Sequence, residues 1–170
     1  MALIKKVKGI IPIWGKDCWF ADNATLTGDV ILGEKCSVWF NAVIRGDVHS
    51  IRIGNNVNIQ DCAVIHCTYQ KSPVTIGNNV SVAHGAIVHG CTVGNNVLIG
   101  MGAIIMDDAV IEDNVIIAAG AVVMKGTRIE KNTVWAGLPA KKIKTLEPEM
   151  FKGEVMRIAE NYLMYGSWYE

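Results

Sequence analysis

The chain carries no charge imbalance: 16 Lys and Arg offset 16 Asp and Glu over 170 residues. With no basic stripe and no acidic tail, a nucleic-acid footprint and a solvating segment are both excluded. Although 51% of the residues are apolar, no run of about 18 apolar residues occurs, so no membrane span is predicted. The N-terminal stretch from Met1 to Lys8 is basic, but its apolar character ends at Pro12 without a cleavage site, and no signal peptide is expected. Cys18, Cys36, Cys62, Cys67 and Cys91 are odd in number and show no CxxC spacing. That argues against a disulfide framework and for reduced thiols in a cytoplasmic protein. Cys36 reads as a small core residue, and none of the five is expected to act as a nucleophile.

What the chain has is a period. Apolar residues recur at six-residue steps from Phe20 to Trp135: Phe20, Leu26, Leu32, Val38, Ile44, then Ile53, Ile59, Ile65, Ile76, Val82, Val88, Val93 and onward in regular steps. Four residues after many of these openers stands a small or β-branched residue, such as Ala24, Val30, Cys36 or Ala42. A fixed short period is the mark of a solenoid, whose units bury their apolar faces only by stacking. Six residues per side and 18 per coil predict a triangular parallel β-helix over residues 20–140. Residues 1–19 are expected to cap one end, and 141–170 to form a linker and an amphipathic helix opened by Pro148. The expected fold class is an all-β solenoid with one C-terminal helix, a single domain with a small appendage.

Three steps break the period, all between residues 44 and 93. Ile44 to Ile53 has three extra residues, Ile65 to Ile76 five, and Val88 to Val93 is one short. Insertions in a solenoid are expected to bulge as loops near its functional face. Successive side chains on a strand alternate between its two faces, so the openers face inward and the residues beside them outward. The frame then stacks Arg45, His66, His89 and Met106 in one outward column. Around a corner it stacks Phe40, Asp61, His84 and Met101. His66 and His89, one rung of about 4.8 Å apart, make half of a metal site. The frame places His84 around a corner, where a second copy of the chain could deliver it to the pair, giving three ligands and an open position. The competing reading is three solvated surface histidines. Arg45, Asp47, Gln60 and Asp61 are expected at outward positions nearby, the charged three as an ion-pair network and Gln60 as a neutral partner for a metal-bound water.

The segments Asn41-Ala-Val-Ile-Arg-Gly-Asp47, Asn58-Ile-Gln-Asp61, Val64-Ile-His66 and His84-Gly-Ala-Ile-Val-His89 resemble the γ-class carbonic anhydrases, as do Ala118-Ala-Gly-Ala121 and Trp135-Ala-Gly-Leu-Pro-Ala140. The resemblance covers nearly the whole chain. It implies a left-handed β-helix homotrimer with metal held at each subunit boundary by His66 and His89 of one chain and His84 of the next. It further implies that Arg45, Asp47 and Asp61 form the intersubunit salt-bridge network, and that Gln60 orients the reacting water. Asn161 and Tyr162, near the C-terminus, are candidates to reach a site. The implied reaction is reversible hydration of CO2 to bicarbonate, with zinc, or alternatively ferrous iron or cobalt, lowering the pKa of a water from 15.7 to about 7. The chain departs from the best-studied branch at Val48, where that branch has Glu, and in the loop after His66, which carries no acid. It is closer to a short-loop, anhydrase-like branch, with His49 and Tyr69 as substitute proton carriers. The alternatives are a metal-dependent acyl-CoA thioesterase, a hexapeptide acyltransferase and a non-catalytic structural relative.

Overall fold

The computed structural model describes residues 1–169 and is a parallel β-solenoid of about seven turns with one C-terminal helical segment. Parallel ladders stack on three faces. One face runs through Leu3–Lys5, Val64–His66, Ile87–His89, Ile104–Ile105 and Val122–Val123. A second runs through Ile13–Trp14, Val74–Ile76, Thr92–Val93, Val110–Ile111 and Arg128–Ile129, and a third from Trp19–Phe20 to Thr133–Ala136. The long strands Thr25–Leu32 and Val43–Ile53 turn the corner without interruption and join the first face to the second. The three extra residues after Ile44 therefore form a bulge inside a continuous strand, where a loop was expected: the register against Thr25–Leu32 slips between Gly28 and Val30.

The repeat frame explains the core. Every opener except the terminal Phe20 and Trp135 is at most 5% exposed, and Ala24, Val30, Cys36, Ala42, Val57, Ala63, Val80 and Ala86 fill the corners beside them. Each fully buried Val, Leu or Ile contributes roughly 1.5–3 kcal/mol relative to an exposed one. The Gly-Asn-Asn corners stack as well. Asn56, Asn79 and Asn96 adopt φ of +53°, +54° and +57°, a left-handed conformation that Asn tolerates. Their amides form a ladder, Asn56 to Asn79 to Asn96 to Asn114 to Asn132, at 2.9–3.0 Å per step. At Gly54 no side chain fits, because a Cβ would stand 2.7 Å from the Gly77 carbonyl oxygen one coil on.

Residues 1–19 pair in register with the next coil, Leu3–Lys5 against Thr25–Thr27 and Ile13–Trp14 against Ile31–Leu32, so they form the terminal coil of the same solenoid. After Ala136 the chain reverses as Lys141–Thr145, antiparallel to Thr133–Ala136. Pro148 then opens the helical segment: α over Pro148–Met150, wider π-helical turns over Phe151–Met156, and α again over Arg157–Ser167. It runs back along the third face. Val155 and Phe151 pack on Leu98, Ile116 and Val134, Tyr162 meets Trp39 edge to face, and Gly166 lies against the Trp19 ring. Among the described residues no helix is long and apolar enough to cross a membrane.

The three faces thus differ in what covers them. The helix covers the third. The outward column of the second face begins with the exposed Ile13 and Ile31 and from there, through Arg52, Thr75, Thr92, Val110 and Arg128, is mostly polar. The equivalent column of the first face carries Thr25 on its second rung and from there is apolar, through Val43, Val64, Ile87, Ile104 and Val122, all left partly or fully exposed.

Candidate metal centre

The first face also carries the histidine pair. Arg45 lies opposite His66 and His66 opposite His89 in the parallel ladder, while the neighbouring Ile44, Ile65 and Val88 are fully buried and hold the column outward. The two rings tilt toward each other, with His66 Nδ1 3.0 Å from His89 Nε2. Each ring is held from behind by a carboxylate. Asp47 Oδ1 lies 3.2 Å from His66 Nε2, and Asp107 Oδ1 lies 2.5 Å from His89 Nδ1. Arg45 Nη1 donates to the other oxygen of Asp47 at 2.7 Å.

This donor set fits a divalent ion. Two nitrogens on a tetrahedral zinc, with bonds of about 2.0–2.1 Å, stand about 3.3 Å apart, so the pair needs to open by only a few tenths of an ångström. Metal-bound imidazoles characteristically turn their second nitrogen to a carboxylate, as both do here. Burial, the Arg45 charge and His89 lower the pKa of His66 against the opposing pull of Asp47. The shift favours the neutral ring, the form that binds metal. Burial pushes the Asp47 carboxyl up, but the hydrogen bond and charge of Arg45, with His66, outweigh it and leave the pKa lowered.

His84 stands around the corner in a different setting. Its Nδ1 lies 2.8 Å from Asp61 Oδ2, and the Tyr162 hydroxyl lies 3.3 Å from its Nε2. Burial, then the charge of Asp61 and the neighbouring Tyr165, raise the Tyr162 pKa to about 12, so the phenol keeps its proton. Gln60, expected among the outward charges, is instead 3% exposed beneath the helix. Its Nε2 donates to Asn58 Oδ1 at 2.9 Å, and Asn58 donates in turn to Ser81 Oγ at 2.8 Å. Gln60, His84, Asn161 and Tyr162 line one cavity of about 450 Å³ between helix and solenoid. Asp61 therefore pairs with His84 and not with Arg45 within the chain.

The structure accordingly divides the expected site residues into two sets. Arg45, Asp47, His66 and His89 share the first face; Gln60, Asp61, His84, Asn161 and Tyr162 share the rim of the third. Among the described residues no single group of three or more His, Cys, Asp or Glu side chains converges to hold a metal. His49 and Tyr69 line a separate cavity of about 560 Å³ with Asp47 and Arg52, and His49 Nδ1 accepts from the Ser50 N–H. Two residues at the site escaped the sequence reading. Asp107 directly follows Met106, the last member of the histidine column, and Thr68, in the loop after His66, donates to it at 2.6 Å.

The cysteines are free. Burial raises the Cys67 and Cys91 thiols to about 11 and about 12 and makes them unreactive. Cys18 sits in a different setting. Hydrogen bonding from Cys36 outweighs partial burial and lowers its pKa to about 7.

Comparison with known proteins agrees with the repeat and with the family resemblance. The bacterial transferase hexapeptide (six repeats) family matches residues 90–125. The chain is 44% identical to a carbonic anhydrase of Geobacillus kaustophilus over 99% of its own length and 91% of that protein. It is 39% identical to gamma carbonic anhydrase 2, mitochondrial, of Arabidopsis thaliana over 89% of its own length and 56% of that protein. Among solved structures, a hexapeptide transferase family protein from Anaplasma phagocytophilum superposes with a TM-score of 0.93 at 36% identity, covering 99% of this chain and 98% of that one. The chain belongs to the γ-class carbonic anhydrase family.

Proposed function

We propose that three copies of the chain pack through their first faces, and that each boundary brings His84 of one copy to the His66–His89 pair of the next. The observation that carries this reading is the pair itself: two imidazoles converging to 3.0 Å, each backed by a carboxylate, beside a column that is apolar from Val43 to Val122. A bare column of Val and Ile is surface that association removes from water, worth about 25 cal/mol per Å² buried. Neither half of the site holds three ligands alone, so the metal and the assembly require each other.

Zinc, ferrous iron or cobalt would fit three imidazoles with an open position. Such an ion supplies the Lewis acidity that makes water a nucleophile toward CO2 at neutral pH. The chain's own residues do the rest. Arg45 holds Asp47, and Asp47 holds His66, so that Nδ1 faces forward. The amide of Gln60 is pinned by Asn58, which leaves its carbonyl oxygen free to accept a hydrogen bond from a reacting water. Tyr162 covers His84 Nε2 in the single chain, so its hydroxyl must move off that nitrogen when the site assembles. No acid stands in the loop after His66, so proton export falls to His49, Tyr69 or buffer. Five free thiols suit a reducing compartment such as the cytoplasm.

A second reading has one observation in its favour. The cavity beside His84 is about 450 Å³, the size of an organic-ligand pocket, and is lined largely by Leu98, Ile116, Ile158 and other apolar groups. It would suit an acyl thioester hydrolysed at the same centre. Stopped-flow CO2 hydration on protein of measured metal content, with acyl-CoA hydrolysis on the same sample, separates the two. Metal-dependent hydration that rises with buffer concentration supports the anhydrase. Full metal with no hydration overturns it and, if the thioester is cleaved, favours the second reading.

A further inference from the structure

Two irregularities of the repeat meet at one carboxylate. The five extra residues after Ile65 fold as a small loop closed by an antiparallel bridge between Thr68 and Ser72. The loop crosses the next coil at its shortened corner, Gly90, and reaches the coil beyond. There Thr68 Oγ1 donates to Asp107 Oδ2 and Ser72 Oγ to Asp108 Oδ1, each at 2.6 Å. The crossing leaves no space at Gly90. Its φ is +53°, and a side chain there would collide with Asp107 Oδ1 and the Ser72 Cβ. Insertion and deletion are therefore one device: the surplus of one coil passes over the deficit of the next.

The device fixes the orientation of His89. Thr68 holds one oxygen of Asp107, and the other oxygen receives His89 Nδ1 at 2.5 Å. An imidazole whose Nδ1 proton is bound to a carboxylate presents Nε2 as a bare lone pair. His89 Nε2 is the nitrogen turned toward His66. Among the described residues, Asp108, docked by the same loop, has Ser72 and Lys125 as side-chain partners, so it shares the structural role of Asp107 without the histidine contact.

We infer that Asp107 and Thr68 are positioning residues for His89, and that the inserted loop exists to set which nitrogen that ring offers to a metal. This rests on the metal reading above and deepens it. The test uses the full chain in two states. In metal-free protein, nitrogen-15 shifts of the His89 ring should report the Nδ1–H tautomer, and Asp107→Ala should abolish that bias. In a cobalt(II) competition titration, Asp107→Ala should weaken binding about ten- to hundredfold. Thr68→Val should weaken it less, Thr68→Ser should restore it, and Asp108→Ala should match the unaltered protein. Unchanged affinity and tautomer in Asp107→Ala would overturn the inference. So would an equal loss in Asp108→Ala, which would reduce the loop to a structural clasp. If the unaltered protein bound no cobalt, the metal reading would fall, and the His89 tautomer would still decide the positioning role.

Discussion

The first and second faces are built from the same hexapeptides and share two continuous strands, yet from Val43 and Arg52 onward they present opposite surfaces. Along the second, Arg52, Thr75, Thr92 and Arg128 face outward, and Arg52 and Arg128 pair with Asp29 and Glu112. Along the first, the matching column is Val43, Val64, Ile87, Ile104 and Val122, and the only polar side chains in the adjoining column from Arg45 to Met106 are Arg45 and the histidines. The inward residues cannot account for the contrast, since both faces bury Ile and Val alike. Stability of the solenoid places no demand on the outward positions. In the proposed assembly their composition follows what each face meets: solvent on the second, another copy on the first.

The largest effect should come from charging the apolar face. Ile87→Asp is expected to yield a monomer by analytical ultracentrifugation and to lose bound metal, while Thr92→Asp, its counterpart on the second face, should change neither. Equal effects of the two would dissolve the distinction between the faces. Next in size, His84→Ala should remove metal as completely as His66→Ala, read by metal analysis of purified protein, although the two residues lie on different faces. Arg45→Ala frees Asp47 from its guanidinium, and metal affinity should fall about ten- to hundredfold, the cost of disturbing a partner behind a ligand. The smallest effect belongs to the scaffold. Asn96→Ala interrupts the corner ladder and should cost about 1–2 kcal/mol in denaturant unfolding, the loss of ordinary hydrogen bonds, with metal content unchanged.

These contrasts follow the boundary of what the sequence makes legible. Burial of the openers and the stacking of His66 on His89 depend only on the period and its interruptions, and both are counted along the chain. Gln60 was misplaced because its burial depends on where the C-terminal helix lies, which no local pattern states. Within one chain a corner separates Asp61 from Arg45, and His84 is the group within its reach; a network with Arg45 would have to join two copies. Asp107 was missed for a related reason: its contact with Thr68 spans two coils and depends on a loop crossing a one-residue deficit. Local repeats encode the scaffold; contacts across corners and between coils encode the site.

The shared site is tested most directly by complementation. His66→Ala and His84→Ala chains should each purify without metal. Co-expressed in equal amounts, they should recover about a quarter of the unaltered protein's metal, because one boundary in four then joins an intact pair to an intact His84. Mixed assemblies that stay empty, or single variants that hold full metal, would contradict a site built from two copies.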